Sequence, residues 1–186
     1  MRIIAGLFIL STVVFAQAPT IGTYPITAVP AMQVKVTGGF WRQKMDVNTS
    51  VTIPHIFDQN EKTGRTDNLR KGAGLMPGDY QGRRFNDTDV YKVIEAAAFS
   101  LIDRPDPALS KKIDDLVAII AKAQQPDGYL FPARTINPAK PHAWSGKERW
   151  QLEKVDSHEL YEVGHLTEAA VAHYQATGKK TLLNIA

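Results

Sequence analysis

Two segments of this chain, Ile94-Glu95-Ala96-Ala97-Ala98 and Thr167-Glu168-Ala169-Ala170-Val171, repeat one Glu-Ala-Ala pattern at an offset of 73 residues. That repeat restricts the fold more than any other feature. The first copy sits in a helical period running from Asp87 or Thr88 through Val90, Tyr91, Val93, Ile94, Ala97, Ala98, Leu101 and Ile102, with Pro105 to end it. The second is expected to open at Asp156 or Ser157, where Asp156 and Glu159 read as a capping box, and to stop at Thr177-Gly178 beside Lys179 and Lys180. Both helices are rich in small residues and largely apolar around their circumference, as expected of a helix buried between two layers.

Each of these helices is followed by a short turn and a second helix. Asp106-Pro107 gives a cap-then-proline start. Leu109, Ile113, Leu116, Val117, Ile120, Ala121 and Ala123 then form one apolar face, with Lys111, Lys112, Asp115 and Lys122 left for water. The residues from Thr181 to Ala186 begin the corresponding helix after Gly178. The expectation is an all-α, double-layered toroid built from helix hairpins, an inner helix followed by an outer one.

The connections within the hairpins are short, whereas those leading into the inner helices, Gly64 to Asn86 and Pro126 to Val155, are long and without period. The long loops therefore share one end of the toroid, and loops carry sites. Phe85, Asn86, Asp87, Tyr129, Trp144, Trp150 and His158 are expected there. Upstream, Phe40 to Gln59 has helical character with an interruption near Thr52-Ile53-Pro54, and Met32 to Val36 suits a short strand or an extended lead-in. Residues 19–38 read as an extended arm. Arg2, the apolar run Ile3 to Phe15 and Ala16-Gln17-Ala18 read as a signal peptide over residues 1–18, which places the mature protein outside the cytoplasm, secreted or periplasmic, without a stable membrane association.

The chain has no cysteine, so thiolate chemistry and thiolate metal sites are excluded within its 186 residues. Its net charge of +3 is scattered and forms no basic stripe, which gives no support to nucleic-acid binding. His158, Glu162 and His165 share one helix face at i, i+4 and i+7, a spacing that can hold a metal, although the zincin pattern would need histidine at position 162. His158, in the first helical turn, is favoured in its neutral form and suited to hydroxyl groups. Asp87 and Asp89 form an acidic first turn that serves either as a helix cap or as a carboxylate pair for sugar chemistry. Loop aromatics such as Trp144 and Trp150 can stack on sugar rings or simply anchor their loops.

Gly39-Phe40-Trp41, Phe85-Asn86-Asp87-Thr88-Asp89-Val90-Tyr91-Lys92, Ala123-Gln124-Gln125-Pro126-Asp127-Gly128-Tyr129-Leu130 and Ser157-His158-Glu159-Leu160-Tyr161 with Gly164-His165-Leu166 occur in the order and spacing of glycoside hydrolase family 127. The chain resembles the N-terminal part of those β-L-arabinofuranosidases from about Val34 to Ala186. The resemblance implies that residues 39–186 form the first part of an (α/α)6 barrel, about two hairpins of it, in a retaining hydrolase of terminal β-L-arabinofuranose. In the family the nucleophile is a zinc-bound cysteine and a glutamate is the acid/base, both downstream of this region. The expectation is therefore an inactive fragment holding no cofactor, with zinc in the full-length parent. The same resemblance makes His158 a contact of the arabinofuranose ring and places Phe85, Asp87 and Asp89 at the sugar pocket. Val93 departs from the family, where tryptophan follows the Tyr-Lys pair. The alternatives are a non-catalytic exported sugar-binding module and a different sugar-active enzyme on the same toroid.

Overall fold

A computed structural model describes residues 26–186; the expected signal peptide lies outside the described residues. The chain leads in through a single 3-10 turn, Ala31–Gln33, where the sequence suggested a strand or an extended run. Then follow α1 (Gly39–Val47), α2 (Ile53–Lys62), α3 (Arg65–Gly72), α4 (Thr88–Asp103), α5 (Pro107–Ala123), α6 (Pro132–Thr135), α7 (Glu159–Thr177) and α8 (Thr181–Ile185). Among the described residues there is no strand. The interruption expected near Pro54 is a π-helical turn, Asn48–Thr52, which runs directly into α2, where Pro54 is the second residue.

The two Glu-Ala-Ala helices, α4 and α7, pack side by side along their length, and their alanines explain how closely they approach. Ala97, Ala98, Ala169 and Ala170 are all fully buried, together with Val90, Val93 and Ile94. Helix α5 lies behind α4 and contributes Ile113, Leu116, Val117 and Ile120 to the same core, while α2 and α8 add Ile53, Phe57 and Leu182. This is the inner-then-outer order expected for two hairpins of an α/α barrel. Asp106 caps α5 as its sequence implies, accepting from the N–H groups of Ala108 and Leu109 at 2.9 and 3.1 Å. Gly178 ends α7 in the left-handed conformation (φ 72°), which a glycine adopts without a Cβ clash.

The structure corrects two further expectations about local structure. Gly64 to Asn86 is not all loop, because α3 occupies its first third. Only Leu69 in that helix is a large apolar residue, so hydrophobic periodicity could not reveal it. Polar side chains hold it instead: buried Asn68 both donates to the Gln81 carbonyl and accepts from the Gln81 N–H, each at 2.9 Å, and the Lys71 ammonium donates to the Asp79 carbonyl. The second correction concerns the start of α7. Asp156 is not its cap; the helix begins at Glu159, whose N–H donates to the Glu153 carboxylate at 2.8 Å. Asp156 is held by Arg84 instead, and His158 is the residue just outside the helix, in the left-handed region at φ 64°.

Candidate functional site

The loops leading into α4 and α7 meet at the N-terminal end of the inner pair. There the Phe85 and His158 rings lie against one another, centroids 4.6 Å apart and tilted by 33°. Tyr161, one turn into α7, meets both edge-on, at 6.1 Å from Phe85 and 5.7 Å from His158, and its hydroxyl accepts from the Lys92 ammonium at 2.6 Å. Phe85 and His158 border a cleft of about 570 Å³ whose remaining walls are Gly82, Arg83, Arg84, His142, Trp144 and Asp156. A cleft of that size suits a small ligand.

The chemistry of His158 follows from its hydrogen bond. Nδ1 lies 2.7 Å from the Asp156 carbonyl oxygen, and a carbonyl can only accept, so Nδ1 carries the proton. In the neutral ring Nε2 then keeps a lone pair to accept from a hydroxyl group. The Arg84 Nη2, 3.5 Å from the same Nδ1, is not hydrogen-bonded to it in this tautomer. His142 across the cleft is held neutral more firmly than an ordinary histidine, by burial first and by the Arg84 charge as a lesser cause.

The structure separates the four residues expected at the sugar pocket. Phe85 and His158 face the cleft. Asp87 lies beneath it, fully buried, and accepts a short hydrogen bond from the Tyr80 hydroxyl. Asp89 is on the flank, paired with Arg65 at 2.6 Å and beside Lys92, along a different groove with Ile56, Asn60 and Val93. Although Asp87 occupies the cap position of α4, its side chain makes no capping hydrogen bond.

Asp87 has a buried partner that the sequence reading assigned only to a possible metal trio. Glu162 is 1% exposed and its carboxyl faces that of Asp87 across the α4–α7 junction, and no hydrogen bond from the described residues reaches either Glu162 oxygen or the Asp87 Oδ2. Two buried carboxyls facing one another disfavour the doubly ionised state. Burial pushes Asp87 up to about 6, and burial together with the Asp87 charge raises Glu162 well above the usual carboxylate range. Glu159, also fully buried, is satisfied differently: it accepts from the Tyr129 hydroxyl at 2.5 Å, the Trp150 N–H at 2.8 Å and the Ser157 hydroxyl at 3.0 Å. Glu159 therefore ties Tyr129 and Trp150 into the scaffold.

His158, Glu162 and His165 do not converge: His158 faces the cleft, Glu162 faces Asp87, and His165 packs edge-on to Tyr161. Among the described residues, the donor atoms near enough to share a cation are those of Glu95, His165 and Glu168, within 4.8 Å of one another. Glu168 is mostly exposed and already pairs with His165 at 3.1 Å. None of these residues fits the thiolate-bound zinc that the family resemblance implies, since the chain contains no cysteine.

An inner pair of helices, an outer layer behind them and a site assembled from the long loops at one end define an α/α-barrel catalytic-domain architecture. Residues 33–186 match the family described as beta-L-arabinofuranosidase, GH127 catalytic domain, and the chain belongs to that family. It is 36% identical over 174 residues to the non-reducing end beta-L-arabinofuranosidase of Bifidobacterium longum subsp. longum, an alignment covering 83% of this chain and 26% of that protein. Among solved structures, a GH127 β-arabinofuranosidase is similar with a TM-score of 0.79 and 52% identity, over 84% of this chain and 25% of that one. Ara127N, a GH127 beta-L-arabinofuranosidase from Geobacillus stearothermophilus T6, is similar with a TM-score of 0.74 and 37% identity, over 81% of this chain and 24% of that one. The chain thus spans about a quarter of the length of these relatives. Among the described residues, no helix is long and apolar enough to cross a membrane.

Proposed function

We propose that this chain forms the first part of the catalytic barrel of a retaining β-L-arabinofuranosidase, and that its cleft holds the terminal arabinofuranose ring of an arabinoside. The observation that carries this reading is the Phe85–His158 pair, two residues 73 apart in sequence brought to 4.6 Å at the mouth of the inner helices. The apolar face of a furanose stacks on Phe85, and a ring hydroxyl donates to the His158 Nε2. Asp87 acts from below by fixing Tyr80 and the start of α4, and Asp89 acts from the flank through Arg65 and Lys92. The groups that cleave the bond, and the zinc of the family, are assigned to sequence corresponding to the other three quarters of the relatives.

The test is a titration of this chain with methyl β-L-arabinofuranoside, followed by NMR. Saturable shifts at Phe85, His158 and Tyr161 are expected, with affinity about tenfold weaker in Phe85→Ala and in His158→Ala, the loss of roughly 1.4 kcal/mol that one stacking or hydrogen-bonding contact contributes. Shifts confined to other surfaces would refute the site. We also infer export, from the signal-peptide pattern of residues 1–18. Amino-terminal sequencing of material recovered outside the cytoplasm is expected to begin at Pro19; an intact Met1 on exported protein would contradict it.

A further inference from the structure

We propose that Arg84 is a positioning residue that fixes the ring orientation and the tautomer of His158. The proposal deepens the sugar-binding reading and rests on it only for the identity of the ligand. Arg84 belongs to the loop leading into α4, yet its guanidinium is 7% exposed and spent on the loop leading into α7. Its Nε donates to the Asp156 carbonyl and its Nη2 pairs with the Asp156 carboxylate. That carbonyl is the one that accepts from the His158 Nδ1 at 2.7 Å. One arginine therefore grips both oxygens-bearing groups of the residue that sets the histidine proton.

Two further observations show that the grip is needed. His158 is a non-glycine residue at φ 64°, a conformation that persists only where neighbouring contacts hold it. The guanidinium also lies over the Phe85 ring at 5.2 Å and the Trp144 ring at 5.9 Å, so the same side chain spaces the aromatic walls of the cleft. A lysine cannot reproduce this, because it lacks the planar fork that reaches carbonyl and carboxylate together. Without Arg84 the Asp156–His158 turn relaxes, Nδ1 loses its acceptor, and the imidazole moves to the Nε2–H form that a free side chain prefers. The sugar-facing nitrogen then becomes a donor.

The experiment is long-range proton–nitrogen NMR of histidine-labelled protein, above the ordinary imidazole titration range. Wild type is expected to show His158 as the pure Nδ1–H tautomer, and Arg84→Met to show predominantly Nε2–H with arabinoside affinity at least tenfold weaker. Fully buried His173 reports that the fold is intact. A His158 that stays Nδ1–H in Arg84→Met with native His173 signals overturns the proposal. Should Arg84→Met fail to fold, Arg84→Lys decides: mixed tautomers are expected, and a pure Nδ1–H signal overturns it. If the tautomer changes as expected while the wild type binds no arabinoside, the role of Arg84 stands and the sugar-binding reading fails.

Discussion

Burial governs Asp87 and Glu162 before any ligand arrives. A carboxyl moved from its ordinary 3.8 to about 6 costs roughly 3 kcal/mol once it ionises in the folded protein. Because the folded state binds that proton more tightly than the unfolded chain, stability falls as pH rises from about 4 to about 6, and raised Glu162 continues the fall above that window. Glu162→Gln keeps the shape of the side chain and removes one ionisation. It is expected to gain stability relative to wild type as pH rises from about 4.5 to about 8 in urea unfolding. Parallel pH profiles for the two proteins would show that burial does not raise Glu162. His158 and Phe85 were legible in the sequence because each stands next to a helix start in a recognisable motif. Arg84, Tyr80 and Glu162 were not, because nothing in a sequence distinguishes a charged or phenolic side chain turned inward from a solvated one.

The inner and outer helices of the two hairpins were readable because their apolar spacing and their stops at Pro105 and Gly178 agree with the packing they adopt. Helix α3 was not readable, since its stability comes from polar contacts formed across a loop. Asn68 shows this most directly, being fully buried and bonded twice to the Gln81 backbone. Asn68→Ala leaves a buried N–H and C=O without partners and is expected to cost roughly 2–3 kcal/mol. The same change should speed amide exchange at Gln81 and through the loop that carries Arg84 and Phe85. Unaltered exchange at Gln81 would mean that α3 is held by something else. The misread start of α7 has a similar cause: Asp156 has the sequence of a cap, but Arg84, 72 residues away, competes for it more strongly.

At the scale of the molecule, repetition explains the site. Two hairpins related by an offset of 73 residues place two helix starts side by side, and each start delivers one wall of the cleft, Phe85 from the first and His158 from the second. The close-packed alanines of α4 and α7 set the distance between those walls. The proposed arabinoside site is tested most directly in the protein at the full length of its relatives. Its kcat/KM for release of L-arabinose from a β-L-arabinofuranoside, measured for wild type against His158→Ala, addresses the central claim most directly. The expected result is hydrolysis by wild type and a loss of roughly 10- to 100-fold in His158→Ala, the worth of one lost hydrogen bond in the bound complex. Equal rates for the two proteins, or no arabinose released by a folded wild type, would contradict it.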